Sequence, residues 1–247
     1  MTLRSKRTPS PGKPHKASRG FFPSGRFFPS GRFGAVLLDL DGCLVDSNDA
    51  HARAWSRTLS RFGHRVSASR IRREIGKGGE ELLRDFLGPA DRHFLGEALG
   101  RTQTRFYLER FTVEVRPIPG AAAAVHAMRR AGVPVVLASS AARKVVERSL
   151  DSLRLRDVVT GFTTADDVEK AKPFDDVFSL AIARFRLSRA RPVAVGDTPY
   201  DVAAAHQIGV PCLALESGGF PLRTLASADG LFADLADLWR RGRELFE

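Results

Sequence analysis

At 247 residues the chain has room for one full-sized domain and a smaller second one. Its 43% hydrophobic and 27% charged residues are those of a globular protein, and no apolar run approaches the roughly 20 residues a membrane helix needs, which excludes a bilayer-spanning protein. The net charge of +11 points toward nucleic acid only until it is located: residues 1–33 hold eight Lys or Arg and no acid, so the other 214 residues carry just +3.

That first segment is rich in Ser, Pro, Gly and basic residues and repeats FFPSGR at 21–26 and 27–32. It has too little apolar periodicity to order itself and is expected to be a disordered basic tail. A targeting peptide or an arm for anionic polymers would have the same composition; a dispensable extension is the plainer reading. Next comes an apolar run at 35–40, expected to be the first strand. About 80 residues then separate it from Gly120, far more than one crossover helix needs. Within this stretch the periodicity predicts helices at 49–62, 67–74, 80–87 and 91–111. An insertion here lies over the carboxyl edge of the sheet, where open α/β sheets bind ligands, so residues 48–117 are expected to form a helical cap. From Gly120 onward helices at 120–131, 142–153, 174–186, 200–208 and 233–245 alternate with strands at 135–138, 158–162, 193–195 and 212–215, and with a weaker edge candidate at 231–232. This is the alternation of an α/β fold, a Rossmann-like parallel sheet core built from 34–47 and 118–247. Cys43 and Cys212 sit in apolar segments without metal-like spacing, and a reducing cytoplasm is expected.

Chemistry-bearing residues gather at the ends of these strands. The first strand runs into Asp39-Leu40-Asp41-Gly42, two carboxylates two residues apart. If the strand's alternation persists, both face one site, one to attack phosphorus and one to protonate a leaving oxygen. Gly42 permits a sharp turn or close approach to a phosphate; a paired Asp is otherwise a common turn or cap. The second strand ends in Ser139-Ser140, able to hold a phosphoryl oxygen, although serines end many strands. Lys172, before Pro173, offers a fixed ammonium to offset anionic charge, the plainer alternative being a solvated lysine. The fourth strand ends in Gly196-Asp197-Thr198-Pro199-Tyr200-Asp201, with Asp201 about one helical turn beyond Asp197 and equally suited to cap a helix. Four converging carboxylates repel unless a cation joins them, and all-oxygen ligation favours Mg²⁺ over zinc.

These four motifs, in this order, resemble the haloacid dehalogenase superfamily, and specifically its phosphatases with a helical cap, over residues 34–220. The resemblance implies that Asp39 is the nucleophile and a metal ligand, and that Asp41 is the general acid and base and also ligates through its backbone carbonyl. It further implies that Ser139 and Lys172 bind the phosphoryl group, that Asp197 completes the metal site and that Asp201 supports it. The segment from Asp46 to Trp55 resembles the cap start of phosphoglycolate phosphatases and β-phosphoglucomutases, and Ile75-Gly76-Lys77-Gly78-Gly79-Glu80 their substrate-facing cap loop. His51 and Lys77 are therefore expected to meet substrate along with Gly42 and Ser140, with cap packing and a solvated glycine loop as the bland alternatives.

The expected activity is Mg²⁺-dependent hydrolysis of a small phosphorylated metabolite, phosphoglycolate- or phosphosugar-like, through an aspartyl phosphate. A phosphosugar mutase uses the same groups, but such mutases typically carry Glu-Asp where this chain has Gly196-Asp197, and a dehalogenase has no need of the acid at Asp41. A non-catalytic module recruited to nucleic acid or a membrane surface by the basic tail is the more distant alternative, and the intact motifs oppose it. His126 and His206, within helices, receive no role.

Overall fold

The computed structural model describes residues 33–246, so the readings of the tail fall outside the described residues except at Phe33. Phe33, grouped with the tail on composition, is buried, and its N–H donates to the Leu245 carbonyl at 2.7 Å.

Strand β1 (Ala35–Leu38) forms the middle of the sheet. A short β2 (Val45–Asp46) leads into α1 (Asn48–Arg61), α2 (Ala68–Ile71), α3 (Gly79–Arg84) and α4 (Pro89–Phe106). The end of α4 widens into one π-helical turn (Tyr107–Phe111), and β3 (Arg116–Pro117) returns the chain. The remainder runs α5 (Ala121–Arg130), β4 (Val135–Ala138), α6 (Arg143–Leu153), β5 (Gly161–Thr163), α7 (Asp176–Arg184), β6 (Pro192–Gly196), α8 (Pro199–Gln207), β7 (Cys212–Leu215), β8 (Gly230–Phe232) and α9 (Leu235–Gly242). Six strands form one parallel sheet in the order β5-β4-β1-β6-β7-β8.

Strand alternation explains the layers. Val36, Leu38, Val135, Leu137, Val193 and Val195 point to one face and join apolar residues of α5, α6 and α9. Ala35, Leu37, Val136, Ala138, Ala194 and Cys212 point to the other, against Val177, Phe178 and Ala181 of α7 and Val202 of α8. Burial on both faces is why these strands read as continuous apolar runs in the sequence. Helices α1 to α4 share a cluster of their own, centred on Trp55, Leu59, Ile71, Leu82 and Leu99. The chain enters and leaves that helical region through β2 and β3, paired antiparallel with Val45 opposite Pro117.

The main differences from the sequence reading lie at element ends. The strand expected at 158–162 forms one to three residues later, because Val158 and Val159 donate their N–H groups to Leu155 in a turn that follows α6. The helix expected at 174–186 is shorter, α7 running from Asp176 to Arg184, and the Lys172–Pro173 peptide before it is cis. The pairing of β2 with β3 and the π turn left no periodicity to read, being two and five residues long. Among the described residues no helix is long and apolar enough to cross a membrane.

Leu37 is fully buried at the centre of the sheet. Leu37→Ala is expected to cost about 3 kcal/mol through lost burial and the cavity left behind. Urea unfolding of the two proteins, followed by circular dichroism, measures it.

Candidate active site

The register of the sheet delivers the site. Leu38 lies opposite Leu137 on one side and Val195 on the other, so β1, β4 and β6 release Asp39, Ser139 and Asp197 at one carboxyl edge. Backbone bonds continue past the strand ends, from Asp39 N–H to the Val195 carbonyl (2.9 Å) and from Ser139 N–H to the Thr163 carbonyl (3.1 Å). A cavity of about 790 Å³ opens above this edge, lined by Asp39, Asp41, Ser139 and Ser140 below and by parts of α1, α3 and α4 above.

Lys172 is fully buried, with Nζ 2.9 Å from Asp39 Oδ1 and 2.7 Å from Asp201 Oδ1. Burial alone would lower its pKa, but Asp201 and Asp39 together push it up, so it stays an ammonium. Asp201 uses its other oxygen as a cap: Oδ2 accepts from the Thr198 hydroxyl (2.6 Å) and N–H (3.1 Å), while Thr198 Oγ1 accepts from the Asp201 N–H. This capping box, with Pro199 in the first turn, is why the run Thr198-Pro199-Tyr200-Asp201 starts α8 where it does.

Asp39 and Asp41 both line the cavity, but their carboxylates have different partners. Asp41 Oδ1 accepts from the Ser47 hydroxyl (2.5 Å) and faces His51 Nε2 (3.1 Å). His51 Nδ1 lies 3.2 Å from the Gln103 amide nitrogen. The imidazole stacks on Tyr107, centroids 3.8 Å apart and planes within 7°. Burial works against ionised Asp41, but the charge and hydrogen bond of His51, with Ser47, hold it below the usual carboxylate range. Burial raises Asp39 to about 7 instead, with Asp201 and Asp41 adding to the rise and Lys172 opposing it.

Asp197 is fully buried and held well above the usual range by burial and by the charges of Asp201 and Asp39. Its Oδ2 accepts from Asn48 Nδ2 at 2.9 Å. Asp39, Asp197 and Cys43 each offer one ligand atom within 4.8 Å of the others. Burial and the neighbouring carboxylates push the Cys43 thiol far up, so it is no thiolate, and the effective donors are carboxylate oxygens. That donor set, with too little positive charge to match it, fits a hard divalent cation. Asp201 stands apart from this group, its oxygens taken by Lys172 and Thr198.

Gly42 has φ +73°, and a side chain there would overlap the Asp197 carboxylate, so the glycine makes room for Asp197 and is not among the residues lining the cavity. Gly218 is under the same constraint from its own side of Asp197. Ser139 Oγ accepts from the Ala141 N–H at 3.1 Å, and the Ser140 hydroxyl, also at the cavity wall, has no partner among the described residues. Lys77 lines the cavity, but its ammonium is held by Glu74 (2.7 Å) and Asp85 (2.6 Å). The loop around it is fastened to the sheet core, Gly78 N–H donating to the Lys172 carbonyl (2.9 Å) and the Tyr200 hydroxyl lying 2.8 Å from both the Arg73 carbonyl and Glu74. The sequence reading missed Asn48, Gln103, Tyr107 and Gly218. Asn48 lies inside the segment that resembles a cap start, whereas the other three have no local signature.

Residues 36–215 match the model of the family described as haloacid dehalogenase-like hydrolase. The chain is similar to validoxylamine A 7'-phosphate phosphatase of Streptomyces hygroscopicus subsp. limoneus, 26% identical with 83% of this chain and 96% of that protein covered. It is also similar to phosphoglycolate phosphatase of Yersinia pseudotuberculosis, 28% identical over 82% of this chain and 90% of that one. Among solved structures, a hydrolase from Pseudomonas syringae superposes with a TM-score of 0.77 at 25% identity, covering 85% of this chain and 98% of the other. The α/β sheet, its carboxyl-edge residues and the family match over most of the chain agree, and the protein is an enzyme of the haloacid dehalogenase-like hydrolase family.

Proposed function

We propose that the protein is a Mg²⁺-dependent phosphatase that cleaves a phosphate monoester through a phospho-aspartate on Asp39. One observation carries the reading: the buried ammonium of Lys172 joins Asp39 to Asp201 beneath a cavity, while the second carboxylate of the same motif, Asp41, has a separate set of partners. Two carboxylates in opposed environments suit two roles. The matched relatives named as phosphatases support the class of reaction.

In the first half-reaction an Asp39 oxygen bonds to phosphorus, the bond from phosphorus to the ester oxygen breaks, and Asp41 gives the leaving oxygen its proton. Resting Asp41 is held as a carboxylate, so it takes up a proton from bulk water before this step and returns one to bulk water after the second half. In the second half a water gives a proton to Asp41 and attacks phosphorus, releasing orthophosphate and freeing Asp39. Lys172 offsets charge on Asp39 and on the transferring oxygens, and Ser139 and Ser140 are placed to bind those oxygens. Asp39, Asp197 and the Asp41 carbonyl would hold Mg²⁺, which when bound supplies charge compensation to the phosphoryl group. Asp201 acts through Lys172 and not as a ligand. Residues 48–117 serve as a cap over a core of 34–47 and 118–247, hinged where β2 pairs with β3.

Asp39→Asn is expected to lower hydrolysis of a phosphate monoester by at least about 10³-fold without changing the circular dichroism spectrum. Release of orthophosphate measures the loss, and a D39N protein keeping most of its activity would overturn the nucleophile. Saturating Mg²⁺ is expected to raise the wild-type melting temperature by roughly 5–10 °C, reversibly with EDTA. Gly218→Ala and Asp197→Asn should each remove most of that rise, the first by displacing Asp197 and the second by removing its charge. Differential scanning fluorimetry with and without the ion decides the point.

A further inference from the structure

Resting on the phosphatase reading, the cavity above Asp39 and Asp41 carries information about the leaving group. Its volume, about 790 Å³, lies in the upper part of the range that holds drug-sized ligands, and a two-carbon phosphate ester would leave most of it empty. Its upper wall is largely carbon, supplied by Trp55, Ile75, Leu82 and Leu108. Gly76, Gly79 and Gly100 also line the cavity.

The charges around the cavity argue against a leaving group with its own carboxylate. Lys172 is already shared between two carboxylates below. Lys77, the cation the loop brings from above, is neutralised by both Glu74 and Asp85 and lies over the Tyr200 ring, 5.0 Å from its centroid. Arg101 is paired with Glu97, which also lines the cavity. Arg105 and Lys144 stand exposed on a wall that also carries the acids Glu109 and Asp166. Beyond the phosphoryl subsite the wall therefore holds, among the described residues, no buried cation without a carboxylate partner: Arg105 and Lys144 are exposed to solvent. A second anion next to the ester would lose its hydration and gain only a solvent-screened partner.

We infer that the site selects a phosphate monoester with a bulky, uncharged, ring-bearing leaving group over a short carboxylate-bearing ester such as phosphoglycolate. Gly100 gives a direct handle. It lies in α4, lines the cavity and has nothing within 4 Å of where a Cβ would stand, so a larger side chain enters open space.

The test uses four primary alkyl phosphates with Mg²⁺: phosphoglycolate, 2-hydroxyethyl phosphate, glucose 6-phosphate and trehalose 6-phosphate. Their leaving oxygens are chemically matched, so size and charge are what vary. The expected result is a kcat/KM for the better of the two sugar phosphates at least about tenfold above that for phosphoglycolate. Gly100→Phe should cut this ratio by about tenfold, Gly100→Leu by less, while Phe94→Ala, 80% exposed on the same helix, leaves it unchanged. Phosphoglycolate turned over as well as or better than both sugar phosphates would overturn the inference and leave the phosphatase reading standing, as would a ratio unmoved in a folded Gly100→Phe or Gly100→Leu protein. Inertness toward all four esters would remove the phosphatase reading and this inference together.

Discussion

The buried ammonium of Lys172 is the interaction on which the rest of the site depends. Asp39, Asp197 and Asp201 are enclosed at one edge of the sheet with Asp41 close by, and among the side chains facing Asp39 and Asp201 this is the cation that meets both. Charges removed from water at this density are tolerated only when paired and hydrogen-bonded. A single ammonium 2.9 and 2.7 Å from two carboxylates supplies the pairing and leaves one carboxylate, Asp197, dependent on an amide and on whatever cation joins it. Lys172 has a second structural duty, since its carbonyl accepts the Gly78 N–H and holds the glycine loop against the core. Charge balance and loop position are thus set by one side chain and its own backbone.

Around that centre the fold separates two carboxylates that the sequence places two residues apart. Asp39 follows directly on β1 and meets Lys172, and burial lifts it to about 7. Asp41 lines the same cavity but meets Ser47 and His51 and is held low. The partners come from different parts of the chain. Lys172 lies in the loop before α7, Ser47 and His51 lie at and within the start of α1, and Gln103 and Tyr107 at the end of α4 fix the imidazole. The π turn matters here because it begins at Tyr107, the residue that stacks on His51, and an inserted residue in a helix changes the angle at which later side chains leave it.

Much of this was legible in the sequence because strand ends in a parallel sheet are written locally. The apolar runs ending in Asp39, Ser139 and Asp197 appear in the structure as neighbouring strands, and the helical stretch after the first strand appears as α1 to α4 with its own apolar cluster. What stayed illegible was the partner of each polar side chain. Gly42 reads as a turn or a phosphate contact from its neighbours, and the structure fills the space beside it with Asp197, 155 residues later. Lys77 reads as a free cation on a glycine loop, but Glu74, three residues before it, and Asp85, eight residues after it, hold its ammonium. Asp201 reads equally as ligand or cap, and its two oxygens divide between a cap and a lysine. A local pattern fixes backbone and hydrophobic periodicity; ion pairs across dozens of residues need the tertiary fold.

The same division separates chemistry from selectivity. Asp39, Asp197, Lys172 and the serines stand at the sheet edge, whose strands are buried on both faces. The opposite wall of the cavity belongs to α1, α3 and α4, which pack on one another and join the sheet through two short strands and the fastened glycine loop. A change in that wall, such as the side chain at position 100, alters the volume offered to a leaving group without touching the ion pairs below. His51 crosses this boundary, being carried by α1 yet 3.1 Å from Asp41, so the position of the helical wall is felt at that carboxylate. The geometry therefore links the helical wall to Asp41 through one imidazole, while the charge balance around Lys172 is set by the end of β1, the loop before α7 and the first turn of α8.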